Sequence, residues 1–180
     1  MAVAGDVTDA SAMADVARQA VGFGGAIHVW VSNVGTGAVG AFHEVPLEAH
    51  EQVIRTNLIG HMNDAHAVLP IFLRQGHGVF VNMISLGGFA AAPFAAAYSA
   101  SKFGLRGFAE ALRGELVPHR NIHVCDIYPS FVDTPGIFAP RKRLERAMVA
   151  AAWTGAEDAD LSGVRPAPAR GFPRPTGRPR

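Results

Sequence analysis

Tyr98 and Lys102 stand four residues apart in the run YSASK, a spacing that puts both side chains on one face of a helix. A tyrosine hydroxyl that titrates near about 10 is a poor base at neutral pH. A neighbouring ammonium stabilises the phenolate and makes the same group a usable proton donor and acceptor. A Tyr-x-x-x-Lys pair is equally what a solvated helix surface carries, so its context has to decide. Ser85 closes the apolar run GVFVNMIS, thirteen residues before Tyr98, where open α/β sheets place ligand-binding groups. That interval is long enough for a loop to bring both hydroxyls to one carbonyl. Asn57 stands inside a helical pattern, where asparagine gains little and competes for backbone hydrogen bonds, so it calls for a specific reason.

These groups need elements to hold them. Met13, Val16, Ala17, Ala20 and Val21 recur at helical spacing over residues 11–22, with Thr8 or Asp9 available as N-cap. IHVWVSN then reads as a fully buried strand. Residues 46–74 carry Val53, Ile54, Leu58, Met62, Ala65 and Leu69 on a helical repeat, and GVFVNMIS is the next strand. Leu105, Phe108, Ala109, Leu112 and Leu116 mark a helix over 98–117, stopped by Pro118. NIHVCDIYP is a third strand, and residues 141–153 form a short helix. Continuously apolar strands alternating with helices predict an α/β fold, a doubly wound parallel sheet covered on both faces.

The segment GTGAVG, Gly35 to Gly40, spells G-x-G-x-x-G after an apolar strand. A dinucleotide loop of that kind needs a helix opening inside it, so that the helix N-terminus faces the pyrophosphate. Helical periodicity begins only near Pro46, and the position expected to hold a ribose-binding acid is Arg55. The segment is therefore read as a strand-to-helix loop.

Length and composition fit one globular domain: 180 residues, 49% hydrophobic and 17% charged. The single cysteine, Cys125, leaves no internal disulfide and fits a reducing, cytoplasmic setting. MAVAGDVTD lacks the basic start of a secretory signal, and no apolar run approaches the roughly 18 residues of a membrane span. The net charge of +1 hides an asymmetry, because residues 165–180 hold five arginines, five prolines and no acid. The rest carries 11 basic and 15 acidic residues. Such a tail is expected to stay disordered, and without aromatic interleaving it does not mark a nucleic-acid binder. His119 and His123 share a His-x-x-x-His spacing but find no completing ligand set, so no metal site is expected. HEQVI at His50 lacks the second histidine of a zinc-protease helix, and Ser85 lacks the G-x-S-x-G elbow of a hydrolase.

Taken in order, DVTD, SNVG, NLIG, MISLGG, YSASK and YPSFVDTPG resemble the short-chain dehydrogenase/reductase family over roughly residues 3–137. The resemblance implies a Rossmann-like fold and an oxidoreductase that uses NAD or NADP. The reaction would be hydride transfer between the nicotinamide and a secondary alcohol or ketone. Tyr98 would be the catalytic acid/base, Ser85 would hydrogen-bond the substrate oxygen, and Lys102 would support the phenolate and bind the nicotinamide ribose. Asn57 would hold a water in a proton relay ending at Lys102. Asp6 and Val7 would border the adenine, Asn33, Val34 and Gly35 the adenosine ribose, and Pro129, Val132 and Thr134 the nicotinamide. A homo-oligomer formed through the helices at 46–74 and 98–117 is implied as well. Gly104, Gly107, Ala111 and Gly114 on the second of these would permit close helix approach, or would serve internal packing. GGFAAAPFAAAY suggests an apolar substrate wall.

The chain also departs from the pattern. It opens at what resembles the family's third strand, so two strands and the Thr-Gly-x-x-x-Gly-x-Gly phosphate loop are expected to be missing. IHVWVSN would then be a bare sheet edge, prone to association. Ser32, Val34 and Ser130 replace the usual Asn, Ala and Gly, and the resemblance fades past Gly136. The expected organisation is a partial Rossmann-like domain over 1–155 and a Pro/Arg-rich tail over 156–180. The alternative function is a non-catalytic fragment that retains only a helix-mediated self-association surface.

Overall fold

The computed structural model describes residues 1–130. The helix at 141–153, the tail, Val132 and Thr134 lie outside the described residues. The first helix, α1 (Ala10–Gly24), starts where Asp9 caps it by accepting from the Ser11 and Ala12 amides at 2.8 and 3.2 Å. It ends at Gly25, whose φ of 78° a side chain would resist. Strand β1 (Val29–Ser32) follows, then α2 (Leu47–Ile54), a π-helical turn (Arg55–Ile59) and α3 (Gly60–Gln75). Strand β2 (Gly78–Met83), a 3₁₀ turn (Leu86–Gly88), α4 (Ala96–Glu115) and β3 (Ile122–Ile127) complete it.

The three strands are parallel in the order β1-β2-β3, with Val31 opposite Val81 and Val81 opposite Cys125. This is the expected α/β layout of parallel strands linked by helices. Among the described residues the helices cover one face of this sheet. Successive right-handed crossovers that step the same way across a sheet put their helices on the same side. The core accordingly sits on one face, where Phe80, Ile122 and Val124 meet Val68, Phe72, Ala109 and Leu112. On the other face Val29, Val31, Cys125 and Ile127 are exposed. IHVWVSN is thus not a fully buried strand: Ser32 is buried, but Val29 and Val31 are 54% and 55% exposed.

The helical repeat over 46–74 also needs a correction. The π turn closes one bond over five residues, Gly60 N–H to the Arg55 carbonyl, and shifts the phase of the helix. Asn57 and His61 therefore occupy the buried stripe, while Met62 is 41% exposed. The stripe of α4 falls where the periodicity places it, with Leu105, Ala109, Leu112 and Leu116 buried.

Candidate active site

Three candidate segments emerge beyond the C-terminal end of a strand: Asn33–Gly35 after β1, Ser85 after β2, and Pro129 after β3. Parallel strands present their loops together at that edge. Backbone bonds join the segments, with Ile84 donating to the Ile127 carbonyl at 2.8 Å and Leu86 to that of Pro129 at 3.1 Å.

Ser85 has φ 111° and ψ 156°, a region that L-residues rarely enter. Holding a non-glycine residue there costs on the order of 1–3 kcal/mol, and such strain concentrates at functional sites. Its hydroxyl oxygen accepts from the Gly87 amide at 3.2 Å, which leaves its own hydrogen free to donate to a ligand. A Cβ at Gly87 would stand 3.0 Å from the Tyr98 ring and 3.7 Å from Ser85 Oγ, so both side chains flank the same glycine. A Cβ at Gly88 would lie 2.7 Å from Ile84 and 3.2 Å from the Lys102 carbonyl. Only glycine lets the Ser85 turn approach the α4 backbone this closely.

On α4, the Lys102 ammonium lies 5.7 Å from the centre of the Tyr98 ring. Lys102 is buried and donates to the Met83 carbonyl at 3.1 Å. Burial pushes its pKa down to about 8. Asn57 is fully buried in the π turn. Its Oδ1 accepts from Thr36 N–H at 2.8 Å, and its Nδ2 donates to the Thr36 carbonyl at 2.9 Å and to Ser101 Oγ at 3.1 Å. One side chain thus ties the loop after β1 to α4. A Cβ at Gly35 would lie 3.8 Å from Asn57 Oδ1 and 3.9 Å from Lys102 Nζ, so this glycine passes directly over both.

The structure therefore gathers Ser85, Tyr98, Lys102, Asn57, Gly35 and Pro129 at one sheet edge. Asp6 and Val7 are placed differently. Asp6 accepts from the Thr8 amide and hydroxyl at 2.9 and 2.8 Å, which holds its carboxyl below the usual range. Val7 packs on Gly60 and receives Asn63 Nδ2 on its carbonyl at 2.9 Å. Sequence reasoning missed Ser101, His61 and Asn82. His61 is fully buried, with Nε2 2.9 Å from the Val34 carbonyl and Nδ1 2.6 Å from Asn82 Oδ1. The available signal was Asn82, an amide in the middle of the apolar run GVFVNM. GTGAVG opens no helix: α2 begins at Leu47, past Gly40, as its late periodicity predicts.

The family model for short chain dehydrogenase matches residues 1–143. A 3-ketodihydrosphingosine reductase of Bacteroides thetaiotaomicron is 33% identical over 129 residues, covering 72% of this chain and 48% of the relative. A 2-dehydro-3-deoxy-L-rhamnonate dehydrogenase (NAD(+)) of Sphingomonas sp. is 37% identical over 115 residues, 63% of this chain and 46% of the relative. The chain spans about half the length of the curated relatives it matches. Among solved structures, a short chain dehydrogenase/reductase from Burkholderia phymatum in complex with NAD superposes with a TM-score of 0.73. It shares 25% identity, and the match covers 87% of this chain and 60% of that one. By the span of the family match and by the fold it adopts, this chain belongs to the short chain dehydrogenase family.

Proposed function

We propose that this chain carries the catalytic half of an NAD(P)-dependent oxidoreductase acting on a secondary alcohol or ketone. The observation that carries the reading is the convergence of the strained Ser85 with Tyr98 and the buried Lys102 at the C-terminal sheet edge. The residues fit the ribose–nicotinamide part of the cofactor. Gly35 brings the loop backbone over Asn57 and Lys102, and a lysine ammonium with three hydrogens gives only one to Met83. The nicotinamide, when bound, supplies or takes up the hydride.

In the direction of reduction, the Ser85 hydroxyl donates to the substrate carbonyl oxygen and orients it. Tyr98 gives its phenolic proton to the same oxygen as negative charge develops there. The ammonium of Lys102 stabilises the phenolate left behind and holds the ribose hydroxyls with its remaining hydrogens. Asn57 spends both amide hydrogens on Thr36 and Ser101, so its side chain fastens the cofactor-side loop; a relay water would have the second lone pair of Oδ1. Pro129, with Val132 and Thr134, would close the nicotinamide side. Asn33 and Val34 would line the adenosine ribose, and Asp6 with Val7 the adenine. Leu86, Phe89 and Phe94, exposed on the segment that runs from Ser85 to Tyr98, suit an apolar substrate. Gly107 of α4 faces open space, as a helix-paired homo-oligomer would use it, whereas Gly104 packs on Leu58 within the chain.

A second reading, a non-catalytic self-associating fragment, is favoured by one observation. Neither helix N-terminus flanking β1 is suited to a pyrophosphate: Asp9 caps α1, and Glu48 occupies the first turn of α2. Charge-assisted bonds to such an anion contribute about 1.5–3 kcal/mol each. The 180-residue chain should therefore bind NADH and NADPH only weakly, in the millimolar range, by calorimetric titration. Micromolar affinity would refute that account of the phosphate side. Tyr98→Phe should lower turnover by about 10²–10⁴-fold with cofactor affinity unchanged. Absence of any binding or turnover in the wild-type chain would transfer support to the second reading.

A further inference from the structure

We propose that His61 is the positioning residue of the cofactor-side loop, setting through the Val34 carbonyl the height at which Gly35 crosses Asn57 and Lys102. The proposal rests on the oxidoreductase reading for its effect on cofactor, though not for its effect on the loop. The chemistry of the contact has one solution. A backbone carbonyl only accepts, so the Nε2 that lies 2.9 Å from Val34 O must carry a hydrogen and donate it. His61 is four residues beyond Asn57, on the same buried stripe brought into phase by the π turn. The two side chains therefore grip adjacent points of one loop, His61 at Val34 and Asn57 at Thr36. Gly35 is the residue between those points, and a Cβ on it would stand in van der Waals contact with Asn57 Oδ1 and Lys102 Nζ.

His61 is itself fixed from the sheet. Its Nδ1 is 2.6 Å from Asn82 Oδ1, and Asn82 Nδ2 lies 3.5 Å from Asp126 Oδ1 of β3. The charged groups around the ring are Asp64 on α3, Lys102 on α4 and, through Asn82, Asp126 with its partner Arg113. Burial lowers the pKa of the ring and Lys102 pushes the same way, against the bond to Asn82 and the carboxylate of Asp64. As an imidazolium, the ring donates from both nitrogens. As a neutral ring, it keeps the hydrogen on Nε2 and takes one from a turned Asn82 amide, which gives up its contact with Asp126. The bond to Val34 survives in both forms, so the anchor does not switch with pH.

Two substitutions separate this bond from mere filling of the site. Glutamine extends its amide nitrogen to about the place of Nε2, whereas asparagine reaches only the place of Nδ1. In the full chain, His61→Asn should speed amide hydrogen exchange at Thr36, whose N–H is held by Asn57, by about five- to tenfold, the equilibrium effect of one lost net hydrogen bond. His61→Gln should restore wild-type exchange, and the β2 and β3 amides should stay protected in both variants. Titration with NADH and NADPH should show a matching loss of affinity in His61→Asn alone, with kcat changed less than KM wherever turnover is measurable. Unchanged loop exchange in His61→Asn, or equal damage in the two variants with folding intact, would overturn the proposal. If the wild type binds neither cofactor while the exchange pattern follows expectation, the loop anchor stands and the oxidoreductase reading falls.

Discussion

Lys102→Met should make the fold more stable while removing the ammonium that the chemistry needs. Lys102 is 4% exposed, and burial lowers its pKa from 10.5 to about 8. A shift of that size corresponds to about 3 kcal/mol by which the buried charge destabilises the folded chain at neutral pH. The folded-state value lies below the unfolded one, so below about pH 8 both states are protonated and the penalty is full. Between about 8 and 10.5 the folded state releases its proton first, and stability rises with pH. Methionine keeps an unbranched stem of similar reach and carries no charge. It leaves the Met83 carbonyl without its donor, at a cost of about 1–2 kcal/mol. The variant should therefore exceed the wild type by about 1–2 kcal/mol near pH 7, and lose that margin near pH 10. Urea denaturation of both chains at the two pH values measures it. A variant less stable than wild type at pH 7, or a difference that does not narrow at pH 10, would refute the assignment of Lys102 as a buried charge held for function.

Gly88→Ala should destabilise by about 1–3 kcal/mol, since its Cβ would meet Ile84 at 2.7 Å and the Lys102 carbonyl at 3.2 Å; a thermal melt within a degree of wild type would contradict this. Val31→Lys should leave unfolding free energy within about 0.5 kcal/mol and reduce self-association in sedimentation, because Val31 is an exposed apolar group on a strand at the edge of the sheet among the described residues. Unaltered sedimentation of an associating wild type would place the association elsewhere.

Local chemistry makes most of the elements legible in the sequence. Asp9 followed by an apolar helical repeat marks the start of α1, and the stripe of Leu105, Ala109 and Leu112 marks the face of α4. The spacing of Tyr98 and Lys102 places them on one helix face, because residues four apart stand about one turn from each other. The alternation of strands and helices announces a parallel α/β sheet, and motif order announces the family, whose model covers residues 1–143.

Relations between distant segments are settled only in three dimensions. Periodicity assumes a uniform 3.6-residue turn, so it cannot register the π turn that buries Asn57 and His61 and turns Met62 outward. It counts apolar residues without knowing what faces them, so Val29 and Val31 read as core although the crossovers place no described helix over them. Ser85 shows no sign in the sequence of its φ of 111°, adopted in a turn where Gly87 and Gly88 leave no room for a Cβ against Tyr98 and Ile84. The bonds from Asn57 to Ser101 and from His61 to Val34 span 44 and 27 residues. Residue types name the groups that can do the chemistry; the closeness that lets them act together comes from chain segments folded against one another, and no local spacing encodes that.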